Sequence, residues 1–150
     1  MGSLTVPSSG WVYVDAQVII YTVEKHPVYF PLLQPLWQAV QSNTIDAATS
    51  ELSILETLVG PLKKHDKSLG DTYDLFFQQP GIQLVPVTQL VLRMAAKLRA
   101  TTKLRTPDAI HAASALVSKC VLLVTNDYGF RGLSGIPVVF LDDVLKPQQP

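Results

Sequence analysis

"WVYVDAQVIIYTVE", residues 11 to 24, decides how this chain is read. Its aromatic and β-branched start runs unbroken to Asp15, and from Ala16 onward the residues suit a helix until Pro27 interrupts them. A strand, an acid and a helix in that order form half of a parallel β/α unit, and the chain repeats the pattern. Leu32, Leu33, Leu36, Trp37 and Val40 recur at helical spacing as far as Ser42-Asn43. "TIDAATS" (44–50) reads as a short strand ahead of "ELSILETLVGPLKK" (51–64), where Leu52, Leu55, Val59 and Leu62 make an apolar stripe. Gly60-Pro61 is expected to end or kink that helix. Residues 66–79 can form another helix before Pro80-Gly81 turns the chain into the strand "IQLVPV" (82–87). Thr88 suits the N-cap of "QLVLRMAAKLRATT" (89–102), and Thr106 with Pro107 suits the start of "TPDAIHAASALVSK" (106–119). "VLLVT" (121–125) and "VVFL" (138–141) read as two closing strands.

Alternating strands and helices favour an α/β fold, a central parallel sheet with helices on both faces in a three-layer sandwich. With 150 residues and 47% hydrophobic content the chain can close one core. The expected boundaries are a flexible, turn-rich arm over 1–10, one domain over 11–145 and a short tail over 146–150. No run approaches the roughly 20 apolar residues that span a bilayer, and no signal pattern opens the chain, so a soluble cytoplasmic protein is expected. Cys120 stands alone, which rules out an internal disulfide; its setting "CVLLV" suggests a packed thiol between helix and strand. Trp11, Trp37, Phe76 and Phe77 are read as core or partner-facing residues rather than platforms for bases.

Charge is balanced, with twelve acidic and twelve basic residues, so no protein-wide electrostatic footprint for nucleic acid exists. Locally the balance fails. Between Leu75 and Pro107 no acid occurs, while Arg93, Lys97, Arg99, Lys103 and Arg105 fall close together and are candidates for holding an RNA backbone.

Ligands of parallel sheets bind at the carboxyl ends of strands, where Asp15 and Asp127 stand. Each acid also has a local duty open to it. Asp15 and Asp127 suit turns after strands, Asp108 sits in a first helical turn, and Ser53 with Glu56 fits a capping box. Helical periodicity does not choose between Glu51 and Glu56.

"VYVDAQVIIY" (12–21), "SELSILETLVGPL" (50–62), "LRTPDAIHAASAL" (104–116) and "LLVTNDYGFRGL" (122–133) resemble, in order and spacing, the four acidic motifs of PIN-domain ribonucleases. They are similar in particular to VapC-type toxins of toxin-antitoxin modules. The resemblance spans roughly Val12 to Leu141. It implies that Asp15, Glu56, Asp108 and Asp127 form an acidic quartet that binds Mg²⁺ or Mn²⁺ and hydrolyses RNA, leaving a 5′ phosphate and a 3′ hydroxyl. It also implies a cognate antitoxin and a homodimer, with no membrane partner; the spare apolar residues Leu32, Leu33, Leu36 and Trp37 are candidates for part of an antitoxin or dimer surface, with core packing the alternative. Thr125 and Asn126 are expected to donate hydrogen bonds that orient the acids. Gln17 departs from the family pattern, which has asparagine or serine two residues after the first acid; its longer side chain lengthens or removes the bond that orients Asp15.

Gathered carboxylates repel by about 4 kcal/mol per pair at ~4 Å and an effective dielectric near 20, and a hard divalent cation offsets that at neutral pH. A PIN-like module that binds RNA or protein without catalysis is the alternative. A haloacid-dehalogenase-like phosphohydrolase would need a second aspartate where Gln17 stands. Asp108 and His111 share a helix face as a zinc pair would, but His26 and His65 lie in other segments without matching spacing. His111 is therefore read as a buried, hydrogen-bonded histidine.

Overall fold

A computed structural model describes residues 2–146. In chain order the elements are β1 (Trp11–Val14), α1 (Ala16–Val23), α2 (Tyr29–Gln41), β2 (Asp46–Ser50), α3 (Leu52–Lys63), α4 (Lys67–Phe77) and β3 (Ile82–Val85). Then come α5 (Gln89–Thr101), α6 (Thr106–Val117), β4 (Leu122–Thr125), a 3₁₀ turn (Tyr128–Phe130), β5 (Val138–Phe140) and α7 (Leu141–Leu145). The strands form one parallel sheet in the order β3-β2-β1-β4-β5. The chain thus builds outward from β1 in one direction and then returns to its other side. That reversal leaves a crevice between the carboxyl ends of β1 and β4, where open parallel sheets place ligands.

Strand alternation divides the core in two. Val12 and Val14 of β1 join Val18, Leu33, Trp37, Tyr73 and Phe76 on the face covered by α1, α2 and α4. Tyr13 points the other way, into a layer built with Val91, Ala95, Ala109, Ala112 and Phe130 from α5, α6 and the 3₁₀ turn. The run of alanines in α6 lets that helix lie close on the sheet. This is the expected three-layer α/β architecture. Among the described residues no helix is long and apolar enough to cross a membrane.

Several expectations change. Gly60-Pro61 does not end α3: the helix runs on to Lys63, because Pro61 falls in the last turn and is itself buried. The apolar stripe expected to face inward is turned to solvent, with Leu55 64%, Val59 45% and Leu62 73% exposed. What α3 buries instead is Ser53, Thr57 and Pro61. Their hydroxyls are satisfied, Ser53 Oγ lying 2.6 Å from Thr49 Oγ1 and Thr57 Oγ1 donating to the Ser53 carbonyl at 2.8 Å. Helix α6 is capped by Arg105 rather than Thr106, whose hydroxyl accepts from Arg99 Nη1 instead. Leu33, Leu36 and Trp37 are buried in the core, which withdraws them from any partner surface. Trp37, Phe76 and Phe77 are core residues as read, whereas Trp11 is partly exposed. Within the arm expected to be loose, Leu4 is buried and packs into the core. Of the expected tail, residues 147–150 lie outside the described residues. Cys120 is buried between α6 and β4, and burial pushes its thiol up to about 12, which suits an inert packing role.

Candidate active site

Asp15 closes β1 and caps α1: its Oδ1 accepts from the Val18 amide at 3.1 Å. Its Oδ2 accepts from Thr125 Oγ1 at 2.5 Å, across the crevice from the end of β4. The same Thr125 oxygen accepts from the Asp127 amide at 3.1 Å, so one hydroxyl ties the two strand-end acids together. Asp127 caps the 3₁₀ turn, its Oδ1 accepting from the Gly129 amide at 2.8 Å. A Cβ at Gly129 would stand 3.0 Å from that oxygen, so a side chain there would push on the carboxylate.

Asp108 lies in the first turn of α6 but does not cap it and makes no hydrogen bond among the described residues. Helix-dipole stabilisation, about 0.3 to 1 kcal/mol when exposed, remains its only local duty. Glu56 is likewise free of its expected capping box, because α3 starts at Leu52 with Glu51 as its cap. Glu56 Oε1 instead lies 2.6 Å from His111 Nε2. Geometry separates the two glutamates that periodicity could not: Glu56 turns to the acids, while Glu51 Oε1 accepts from the Val87 amide at 3.3 Å elsewhere.

Asp15, Glu56, Asp108 and Asp127 line one cavity of about 670 Å³ at the crevice. Gln17, His111 and Asn126 complete its polar wall, with Tyr21 and Tyr128 at its sides. Burial above all pushes the Asp15 carboxyl up from its ordinary value; the nearby His111 imidazole and the bonds from Thr125 and Val18 oppose this, and Asp127 repulsion adds to it. Asp108 is also raised, first by burial and then by the charge of Asp127, against the nearby His111 imidazole and the charge of Arg105. Three of the carboxylates therefore feel one another's charge. Even so, among the described residues no group of three or more His, Cys, Asp or Glu side chains is placed to hold a metal ion.

The donor set nevertheless suits a hard cation. All four acids offer oxygen, and neither the Asp108 carboxylate nor Asp127 Oδ2 nor Glu56 Oε2 has a hydrogen-bond partner among the described residues. Mg²⁺ keeps several waters and is commonly held by one or two carboxylates, so it does not require three within direct reach.

The other expected residues divide. Thr125 Oγ1 donates to Asp15 Oδ2. Gln17 lines the cavity exposed, and Asn126 ties to Tyr21 and to the Asp142 amide rather than to an acid. Arg93 and Lys97 are exposed one turn apart on α5, whereas Arg99 is spent on the Leu104 carbonyl and Thr106. Lys103 is exposed, and the charge of Arg105 acts on Asp108 of the cavity. Sequence reasoning missed Tyr13, which bonds to His111, and Tyr21, which stands one helical turn after Gln17 on the cavity side of α1.

Residues 12–136 match the family described as PIN domain. No curated protein matches the chain significantly. Among solved structures, VapBC2 from Rickettsia felis bound to a promoter DNA fragment is similar, with a TM-score of 0.71 at 17% identity over 87% of this chain and 98% of that one. A toxin-antitoxin complex from Klebsiella pneumoniae has a TM-score of 0.66 at 22% identity, covering 87% and 97%. FitAcB from Neisseria gonorrhoeae gives 0.66 at 16% identity over the same shares. At these identities the likeness is one of fold.

Proposed function

The chain belongs to the PIN-domain family, and from that premise we propose that it is a metal-dependent endoribonuclease, the toxin of a toxin-antitoxin pair. The observation that carries the reading is the meeting of Asp15, Glu56, Asp108 and Asp127, from four separate segments, in one cavity at the sheet's reversal point. Repulsion among these acids has a cost that a divalent cation offsets. When bound, Mg²⁺ or Mn²⁺ supplies Lewis-acid polarisation of a phosphoryl group and eases formation of the nucleophile.

In this reading Asp15, Asp108 and Asp127 would hold the cation. Glu56, with Oε2 free, accepts a proton from the attacking water. Thr125 keeps Asp15 and Asp127 in register, and Arg105 steadies a flanking phosphate at the cavity's edge. The substrate is single-stranded or loop RNA in the cytoplasm, and residues 11–145 are the working unit. The Klebsiella pneumoniae neighbour, named a toxin-antitoxin complex, supports an antitoxin partner, which would cover the acidic cavity; a homodimer completes the proposal. A non-catalytic PIN-like binding module is the second reading, favoured by the lack, among the described residues, of a ready-made group of three metal-holding side chains.

Incubating purified protein with single-stranded RNA separates the two. The nuclease reading expects cutting that requires Mn²⁺ or Mg²⁺, stops with EDTA, and falls at least about 100-fold in Asp108→Asn, in line with loss of a group that acts in the transition state. Cleavage by Asp108→Asn at the parental rate would reject the role given to that acid.

A further inference from the structure

Behind the acids runs a buried line of hydrogen bonds that the nuclease reading does not use. Tyr13 is fully buried, and its hydroxyl lies 2.9 Å from the Ser50 amide nitrogen and 2.6 Å from His111 Nδ1. The His111 ring, 2% exposed, meets Tyr13 edge-on at 5.8 Å and sets its Nε2 2.6 Å from Glu56 Oε1. From this geometry we infer that His111 is a positioning residue for Glu56, held in one tautomer by Tyr13; the consequence for catalysis rests on the nuclease reading above.

The direction of the line follows from what each group can do. An amide N–H only donates, so Ser50 occupies a lone pair of the Tyr13 oxygen. The phenol then has its own proton to place, and His111 Nδ1 is the partner at hand. With Nδ1 accepting, the neutral imidazole carries its hydrogen on Nε2 and donates it to Glu56. The opposite tautomer would set the Nε2 lone pair against a carboxylate oxygen at 2.6 Å and leave the phenol proton without this partner. Burial supports the order, since it keeps the Tyr13 phenol protonated.

Glu56 sits in the cavity wall, and a glutamate there has several rotamers to choose from. Pinning Oε1 fixes the carboxylate plane and leaves Oε2 for chemistry. Helix α6 thereby contributes twice from one face: Asp108 as an acid of the cavity and, three residues on, His111 as the anchor of an acid borne by α3.

Two measurements test this, one of them independent of catalysis. Ring ¹⁵N chemical shifts of His111 in the intact protein are expected to report hydrogen on Nε2 and a bare, accepting Nδ1, with the Nε2 signal moving in Glu56→Gln. Hydrogen on Nδ1 alone overturns the inference whether or not the protein cuts RNA. The second is kinetic. His111→Leu is expected to lower kcat about 10- to 100-fold, the range typical for losing a partner that orients a ligand or base, with KM for RNA nearly unchanged. His111→Gln, whose amide nitrogen reaches the Nε2 position, should recover several-fold of the loss. In a Glu56→Gln background, His111→Leu should cost nothing further. Losses that multiply in the double variant, or a folded His111→Gln no better than His111→Leu, contradict action through Glu56. If the parent cuts no RNA, the nuclease reading falls, and the ¹⁵N shifts still decide whether His111 donates to Glu56.

Discussion

Asp15 has two duties at once, capping α1 through Oδ1 and meeting Thr125 through Oδ2 while 6% exposed. A buried carboxylate leans on such donors, and a hydrogen bond to a charged group contributes about 1.5 to 3 kcal/mol. Thr125→Val removes that donor and the acceptor for the Asp127 amide together, so it should destabilise the protein by about 2 to 3 kcal/mol in urea unfolding. Asp108 shares the raised pKa of Asp15, but among the described residues no hydrogen bond compensates it. A carboxyl whose pKa is higher folded than unfolded binds more protons in the native state, so stability falls as pH rises through that interval. The cost is complete at neutral pH and disappears as pH drops to the ordinary carboxylate range. Asp108→Asn should therefore raise Tm in EDTA at pH 7 by about 2 to 4 °C, corresponding to at most about 1 kcal/mol once solvent screening of this half-buried group is allowed for. Melts at pH 4 should bring the two proteins closer together. At this scale the sequence was legible where an acid followed a strand, and illegible for Glu56, whose partner His111 lies 55 residues away.

Helix α3 shows why periodicity alone misleads. Its stripe of Leu55, Val59 and Leu62 was evident in the sequence, yet these residues face out. Hydroxyls that bond to each other and to backbone, as Ser53 and Thr57 do, can be buried at little cost, and this orientation turns Glu56 to the cavity. A hydrophobic pattern locates a face without saying which face is inward. Caps were more readable: Thr88 accepts from the Val91 amide as expected, while α6 begins one residue early because Thr106 is engaged by Arg99. Glycines within elements give a paired test. A Cβ at Gly70 of α4 would make ordinary contact with Pro61 at 3.9 Å, so Gly70→Ala should stabilise by about 0.5 to 1 kcal/mol through backbone entropy. Gly81, before β3, has φ +87° and would set a Cβ 2.9 Å from Val40, so Gly81→Ala should destabilise by more than about 1 kcal/mol. Thermal melts of both variants should move in opposite directions.

Over the whole molecule, alternation of strands and helices foretold a parallel sheet, but not that β1 would lie at its centre with β4 beside it. That neighbour relation brings Asp15 to Asp127, and no local pattern encodes it; at sequence level it came from resemblance to a family. The basic segment illustrates the same limit from the other side. Its five cations fall within thirteen positions of the sequence, yet the path through α5 and into α6 sends Arg99 to the protein's own backbone and leaves Arg105 beside Asp108. Convergence of the acids is therefore a property of topology, and under the proposed function a cation would offset the repulsion retained in the cavity. Anything that binds the native state alone raises its stability by RT ln(1 + [L]/Kd). The decisive measurement is Tm against Mn²⁺ concentration for the parent and for Asp108→Asn. A cation site made of these acids predicts that the parent's Tm climbs steadily with the logarithm of Mn²⁺ above its Kd, while the variant, more stable at the outset, climbs far less. A parent curve that stays flat, or two curves that rise in parallel, would contradict it.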